Sequence, residues 1–184
     1  MTMTSSWLPG WVEVIGVIAY AVILVLHVWH AWRAGGLGRA WHVGHIVMAI
    51  GMIDMFWPGQ MPVGELGGEV VFGTAAALSL AIGAYALAKQ DNWRVWTVST
   101  IDFAGMVYMF AMMSHQVAPL TLVFVVWSIL EAVAWASGFA FAALGVSDHG
   151  VDLRLSLAVM TVGMAYMFLA MQYGVPAMSS MSGM

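Results

Sequence analysis

Six apolar runs divide this chain, at roughly 12–32, 43–57, 70–88, 96–114, 118–145 and 155–173. About 20 apolar residues suffice to cross a bilayer as a helix. Backbone inside lipid must satisfy its own hydrogen bonds, so runs of this length are read as helices. Turn-forming or polar stretches separate them: GGLG at 35–38, WPGQMPVGELGGE at 57–69, KQDNWR at 89–94 and SDHGVD at 147–152. The second run is the shortest; from Trp41 to Trp57 it rises about 25 Å, enough for a thin span. The fifth is long and is expected to tilt or extend beyond the lipid. The expected fold is an all-α integral membrane protein with six transmembrane helices in one domain. Three hairpins cover roughly 12–57, 70–114 and 118–173, and a Met-rich outward tail follows at 174–184.

Composition agrees. Hydrophobic residues make up 62% of the chain and charged residues 8%, against about 25% charged in a soluble domain. With no basic patch, nucleic acid is excluded as a partner. Cysteine is absent, which excludes disulfides, thiolate metal sites and thiol catalysis. No P-loop is present, so an ATP-driven pump is excluded. The first ten residues, MTMTSSWLPG, carry no Lys or Arg. A secretory signal needs a positive n-region, so the first run is expected to be a retained helix.

The five basic residues set the orientation. Arg33 and Arg39 fall between spans 1 and 2, Lys89 and Arg94 between 3 and 4, and Arg154 between 5 and 6. By the positive-inside rule that side is cytoplasmic, which puts both termini outside. The expected location is a bacterial plasma membrane, with multiple passes.

A six-residue word recurs along the chain: GMIDMF at 51–56, GMVYMF at 105–110 and GMAYMF at 163–168. The copies fall in spans 2, 4 and 6, which run in the same direction, and the likeness is confined to those spans. Extending each copy gives His45, Met48, Met52, Met55; Asp102, Met106, Met109, Met113; and Met160, Met164, Met167, Met171. Steps of three and four residues put each set on one helix face. If the three spans share an axis, Met52, Met106 and Met164 make one layer. Met55, Met109 and Met167 make the next, about 4.5 Å further out. Met48, Asp102 and Met160 lie below. Gly51, Gly105 and Gly163 leave room for a neighbouring helix, and the phenylalanines are expected to face away from the methionines and pack outward.

Thioether sulfur is soft, neutral and does not titrate, and among biological metals it suits copper(I). Stacked weak sites of this kind are what conduction needs. More methionines gather outside: Met1, Met3, Met61, Met112 and Met113 with His115, and Met178, Met181 and Met184 in the tail. At the inner end His27 and His30 share one face of span 1, and His42 and His45 share one face of span 2. Imidazole accepts copper, zinc or haem iron. His149 with Asp148 and Asp152 forms a further inner group. Among acids within the spans, Asp102 belongs to the stripe, Glu131 sits mid-span, and Asp54 lies near the outer surface.

The Met layers resemble the pore of Ctr-type copper transporters in site logic, although the spacing here is Met-x-x-Met and one chain holds all three copies. The segment WHVGHIVMAIGMIDMFW resembles an uncharacterised family of small, multi-pass, His- and Met-rich actinobacterial membrane proteins. That resemblance implies the fold and a metal, without an activity. HQVAPLTL is similar to a segment of copper-related assembly factors of cytochrome oxidase.

The expected function is copper(I) binding: the ion is acquired, held or conducted through the Met layers and received or released by the inner histidines. Two other readings stand beside it. One is a redox protein with haem b or copper held by the His pairs. The other is a non-catalytic subunit or assembly partner of an oxidase or monooxygenase complex. Expected partners are membrane lipid, a metal ion, and a larger membrane complex or a second copy of the chain.

Overall fold

The computed structural model describes residues 9–58, 63–112, 115–146 and 150–173. These are helical with no strands. In chain order they form α1 (Gly10–Arg33), α2 (Gly36–Phe56), α3 (Gly64–Ala88), α4 (Trp93–Ala111), α5 (Ala118–Ala136), α6 (Phe139–Leu144) and α7 (Val151–Tyr173). Helices α1, α3, α5 and α7 are long and apolar enough to cross a membrane, which makes this a multi-pass membrane protein. The expected fifth span is broken. After Ala136 the chain turns through Gly138, whose φ of 77° favours a residue without a side chain, and the short α6 follows.

Three hairpins pack side by side: α1 with α2, α3 with α4, and α5 with α7. Helices α2, α4 and α7 carry the largest buried faces. Helices α1, α3 and α5 turn aliphatic faces outward, with Val22 and Val25, Leu78 and Leu80, and Val126 and Leu130 exposed. Lipid is the medium that such faces suit. The inner helices α2 and α4 carry polar residues such as His42, His45, Ser99 and Asp102 because neighbouring helices surround them.

The hairpins are joined by a repeated seam. Tyr20, Phe72 and Phe124 stand 52 residues apart on α1, α3 and α5. Each ring covers a glycine of the recurring word in a different hairpin: Phe72 on Gly51, Phe124 on Gly105, and Tyr20 on Gly163. Within its own hairpin each ring stacks on the closing phenylalanine of the word. Tyr20–Phe56, Phe72–Phe110 and Phe124–Phe168 have centroids 5.7, 5.5 and 5.3 Å apart. The phenylalanines are therefore buried between helices, with Phe56 against Gly16 and Phe110 against Gly68. The likeness of the hairpins also extends to their first helices, contrary to the expectation that it stops at the second.

The hairpins are tied alike at their connections. The backbone N–H of Val63 donates to Asp54 Oδ1 at 3.2 Å, and that of Val117 donates to Tyr108 Oη at 3.0 Å, each nine residues on. Asp54 is thus buried and hydrogen-bonded within the protein.

Candidate metal centre

Helical spacing alone predicts one methionine face per inner helix, and the packing buries all three faces in one core. Met48, Met52 and Met55 from α2, Met106 and Met109 from α4, and Met160, Met164 and Met167 from α7 belong to the same cluster, together with Met112. Met52, Met106 and Met109 have no exposed surface. The Met106 methyl lies 3.0 Å from where a side chain at Gly51 would begin, and the Met164 methyl lies 3.5 Å from the same point at Gly105. Gly51 and Gly105 thus admit a neighbouring thioether as well as a neighbouring ring. Met171 is half-buried at the edge of this core. Met113 lies outside the described residues, as do Met1, Met3, Met61, the tail at 174–184, Asp148 and His149. His115 is exposed.

Asp102 is buried in register with Met48 and Met160, and its carboxylate is engaged by α5. Trp127 Nε1 donates to Asp102 Oδ1 at 3.1 Å, and Trp135 Nε1 donates to Glu131 Oε1 at 2.8 Å. The two carboxyls lie close enough to interact. Glu131 Oε2 and Asp54 Oδ2 are buried without a hydrogen-bond partner. Nothing in the spacing announced the two indoles. Trp127 and Trp135 lie eight residues apart in an apolar run, and only their donor atoms reveal the role.

The four predicted histidines meet at the contact of α1 and α2. His27, His42 and His45 are buried, and His30 is half-buried. His27 Nδ1 is 3.2 Å from His42 Nδ1. His27 stacks on His45 with centroids 4.9 Å apart, and His30 stacks on His42 at 5.3 Å. His45 Nδ1 is 2.9 Å from the Trp41 carbonyl. A carbonyl only accepts, so that nitrogen carries the proton and Nε2 keeps its lone pair. His30 Nε2 meets Asp152 Oδ2 at 3.1 Å. Asp152, grouped by sequence with Asp148 and His149, thus joins the histidine set across the bundle. His27 Nε2 is buried with no hydrogen-bond partner. Among the described residues, no group of three or more His, Asp or Glu side chains is arranged to hold one metal ion. The histidines meet in pairs.

A family model described as a domain of unknown function (DUF5134) matches residues 37–171, well over half the chain. That stretch includes the recurring word in all three copies, two of the four clustered histidines and both buried acids of α4 and α5. No curated protein and no solved structure matches the chain.

Proposed function

The chain belongs to the DUF5134 family, and we propose that it is a membrane protein that binds copper(I) and acquires, holds or conducts it through stacked methionine layers. One observation carries this reading. Eight methionines on the three inner helices are buried in a single core, although each stripe could have turned to lipid. Methionine fills irregular cores well, but packing alone does not require the same word on three helices. A core lined by thioethers suits a monovalent soft ion, which hard oxygen sites hold poorly. The layers in this reading are Met52 with Met106 and Met164, and Met55 with Met109 and Met167.

The same reading takes α2 and α4 as spans too, giving six crossings. Arg33, Arg39, Lys89, Arg94 and Arg154 then lie inside and both termini outside in a bacterial plasma membrane. Since cysteine is absent, single cysteines can be introduced for labelling in sealed vesicles. Ala34 and Gln90 should label from one side, and Trp57 and Gln116 from the other.

Silver(I), a redox-inert soft cation, tests the site. Leucine matches methionine in volume and lacks the sulfur, so Met52→Leu, Met106→Leu and Met164→Leu together should keep the fold. The wild-type protein in detergent is expected to bind silver(I), and the triple variant to lose it. A folded triple variant that binds silver(I) as tightly as wild type overturns the reading.

A further inference from the structure

We propose that Asp102 and Glu131 bind one exchangeable proton between them, forming a proton site inside the bundle that stands apart from the thioether core. The register of α4 against α5 brings the two acids together. Tyr108 meets Thr121, Gly105 meets Phe124 and Asp102 meets Trp127, so the two helices run antiparallel. Glu131 lies one turn beyond Trp127 on the same face of α5. Side chains lean toward the N-terminus of their own helix, so Glu131 leans back toward Trp127 and Asp102 leans forward to meet it. The two carboxyls come within hydrogen-bonding reach of each other.

That contact needs a proton. Asp102 is 5% exposed and Glu131 9%. An ionised carboxyl only accepts hydrogen bonds, so two carboxylates in contact would repel each other with little water to screen them. One proton turns the contact into a hydrogen bond and leaves a single negative charge on the pair. Two indoles stabilise that charge, Trp127 on Asp102 Oδ1 and Trp135 on Glu131 Oε1. Glu131 Oε2 is buried with no hydrogen-bond partner, which is rare for a buried oxygen. With the proton on Oε2, that oxygen becomes the donor to Asp102. The titratable group that acts on each carboxyl is the other. Charged residues of the flanking helices sit toward helix ends, Glu65 and Glu69 on α3 and Asp152 and Arg154 on α7.

The site belongs to one seam of three. At the matching positions of the other two seams stand Ser79 with Met48, and His27 with Met160. Trp127 is matched there by Ala75 and Ile23, and Trp135 by Gly83 and Ala31. Both acids and both indole donors are thus additions to a packing pattern that works without them. Acids within membrane spans mark ion or proton sites by default. The Asp102 carboxylate is turned to α5 and belongs to neither methionine layer named above, so the site does not depend on the copper(I) reading.

Infrared spectra of the full chain in detergent at neutral pH test the proposal. Wild type minus Glu131→Gln should show the carbonyl stretch of one protonated carboxyl, and that band should move in deuterated buffer. The amide keeps an acceptor for Trp135 and a donor for Asp102, so the fold should hold. Asp102→Asn should shift the band without removing it. Wild-type protein carrying ¹³C at the glutamate side-chain carboxyls gives the same reading with no substitution, because the label should move the band. Absence of the band, a band that the label leaves in place, or one that both variants leave unchanged overturns the shared proton. A band that stays put in deuterated buffer overturns an exchangeable site.

Discussion

Gly163→Ala should strike one seam of the bundle hard, while Gly105→Ala should leave its counterpart almost untouched. A methyl group built on Gly163 overlaps the Tyr20 hydroxyl and lies 2.9 and 3.2 Å from two ring carbons. Tyr20 is 2% exposed and its hydroxyl donates to the Met160 carbonyl at 3.0 Å, so the ring has nowhere to retreat without losing that bond. Overpacking of this kind costs roughly 1–3 kcal/mol. The lost hydrogen bond adds about 0.6 kcal/mol, and at most about 1.7, in a membrane protein. Alanine's better helix propensity returns about 0.5–1 kcal/mol. The net expectation is a loss of about 1–3 kcal/mol. At Gly105 the nearest ring atoms of Phe124 stand at 3.3 and 3.4 Å, so a shift of a few tenths of an ångström suffices. Helix propensity then nearly cancels the cost. Reversible unfolding in mixed micelles measures both. Adding Tyr20→Phe to Gly163→Ala should recover part of the loss, because the worst overlap is with the hydroxyl, and the coupling should exceed about 0.5 kcal/mol. Equal losses at Gly163 and Gly105, or no recovery in the double variant, would refute the seam as described.

Other outcomes follow from single contacts. Glu131→Leu leaves the Trp135 indole N–H without its acceptor and should cost about 1–3 kcal/mol, while Glu131→Gln keeps an acceptor oxygen and should cost less in the same assay. Tyr108→Phe and Asp54→Leu each strip the acceptor from a backbone N–H at the start of the next hairpin, so each should lower stability by about 1 kcal/mol and speed exchange of that amide. Phe110→Ala empties a site with no exposed surface and should cost about 3–5 kcal/mol, seen as a fall in unfolding midpoint.

Much of this architecture was legible because methionine is rare enough, and helical spacing strict enough, for three stripes to point to three inner helices. The hairpins followed from the turn-rich separators. The seam was not legible for two reasons. Its rings are Tyr, Phe and Phe, and the glycine four residues before them at Gly16 and Gly68 is Leu120 in the third hairpin. Its spacing also differs from the 54 and 58 residues that separate the recurring words, so no single period lines up both helices. The break at Gly138 hid in an Ala-rich run, where one glycine weighs little until its φ is known. Helices α2 and α4 are not among the four long and apolar enough to cross a membrane, and they carry His, Ser and Asp where neighbouring helices bury them. At the site, spacing placed Asp102 on the stripe, but which neighbour takes a carboxylate depends on donors such as the Trp127 indole from another helix. The His30–Asp152 contact spans 122 residues of chain, and local pattern carries no record of such a meeting.

The Tyr20–Gly163 seam joins the first long helix to the last. Two of the three seams join hairpins that follow one another in the chain, but this one closes α1 on α7 and forms only once α7 has been made. Until then Tyr20 lacks the glycine that it covers. A chain cut just before residue 151 would keep both other seams but leave Tyr20 without Gly163. Closure of the ring of hairpins thus depends on α7.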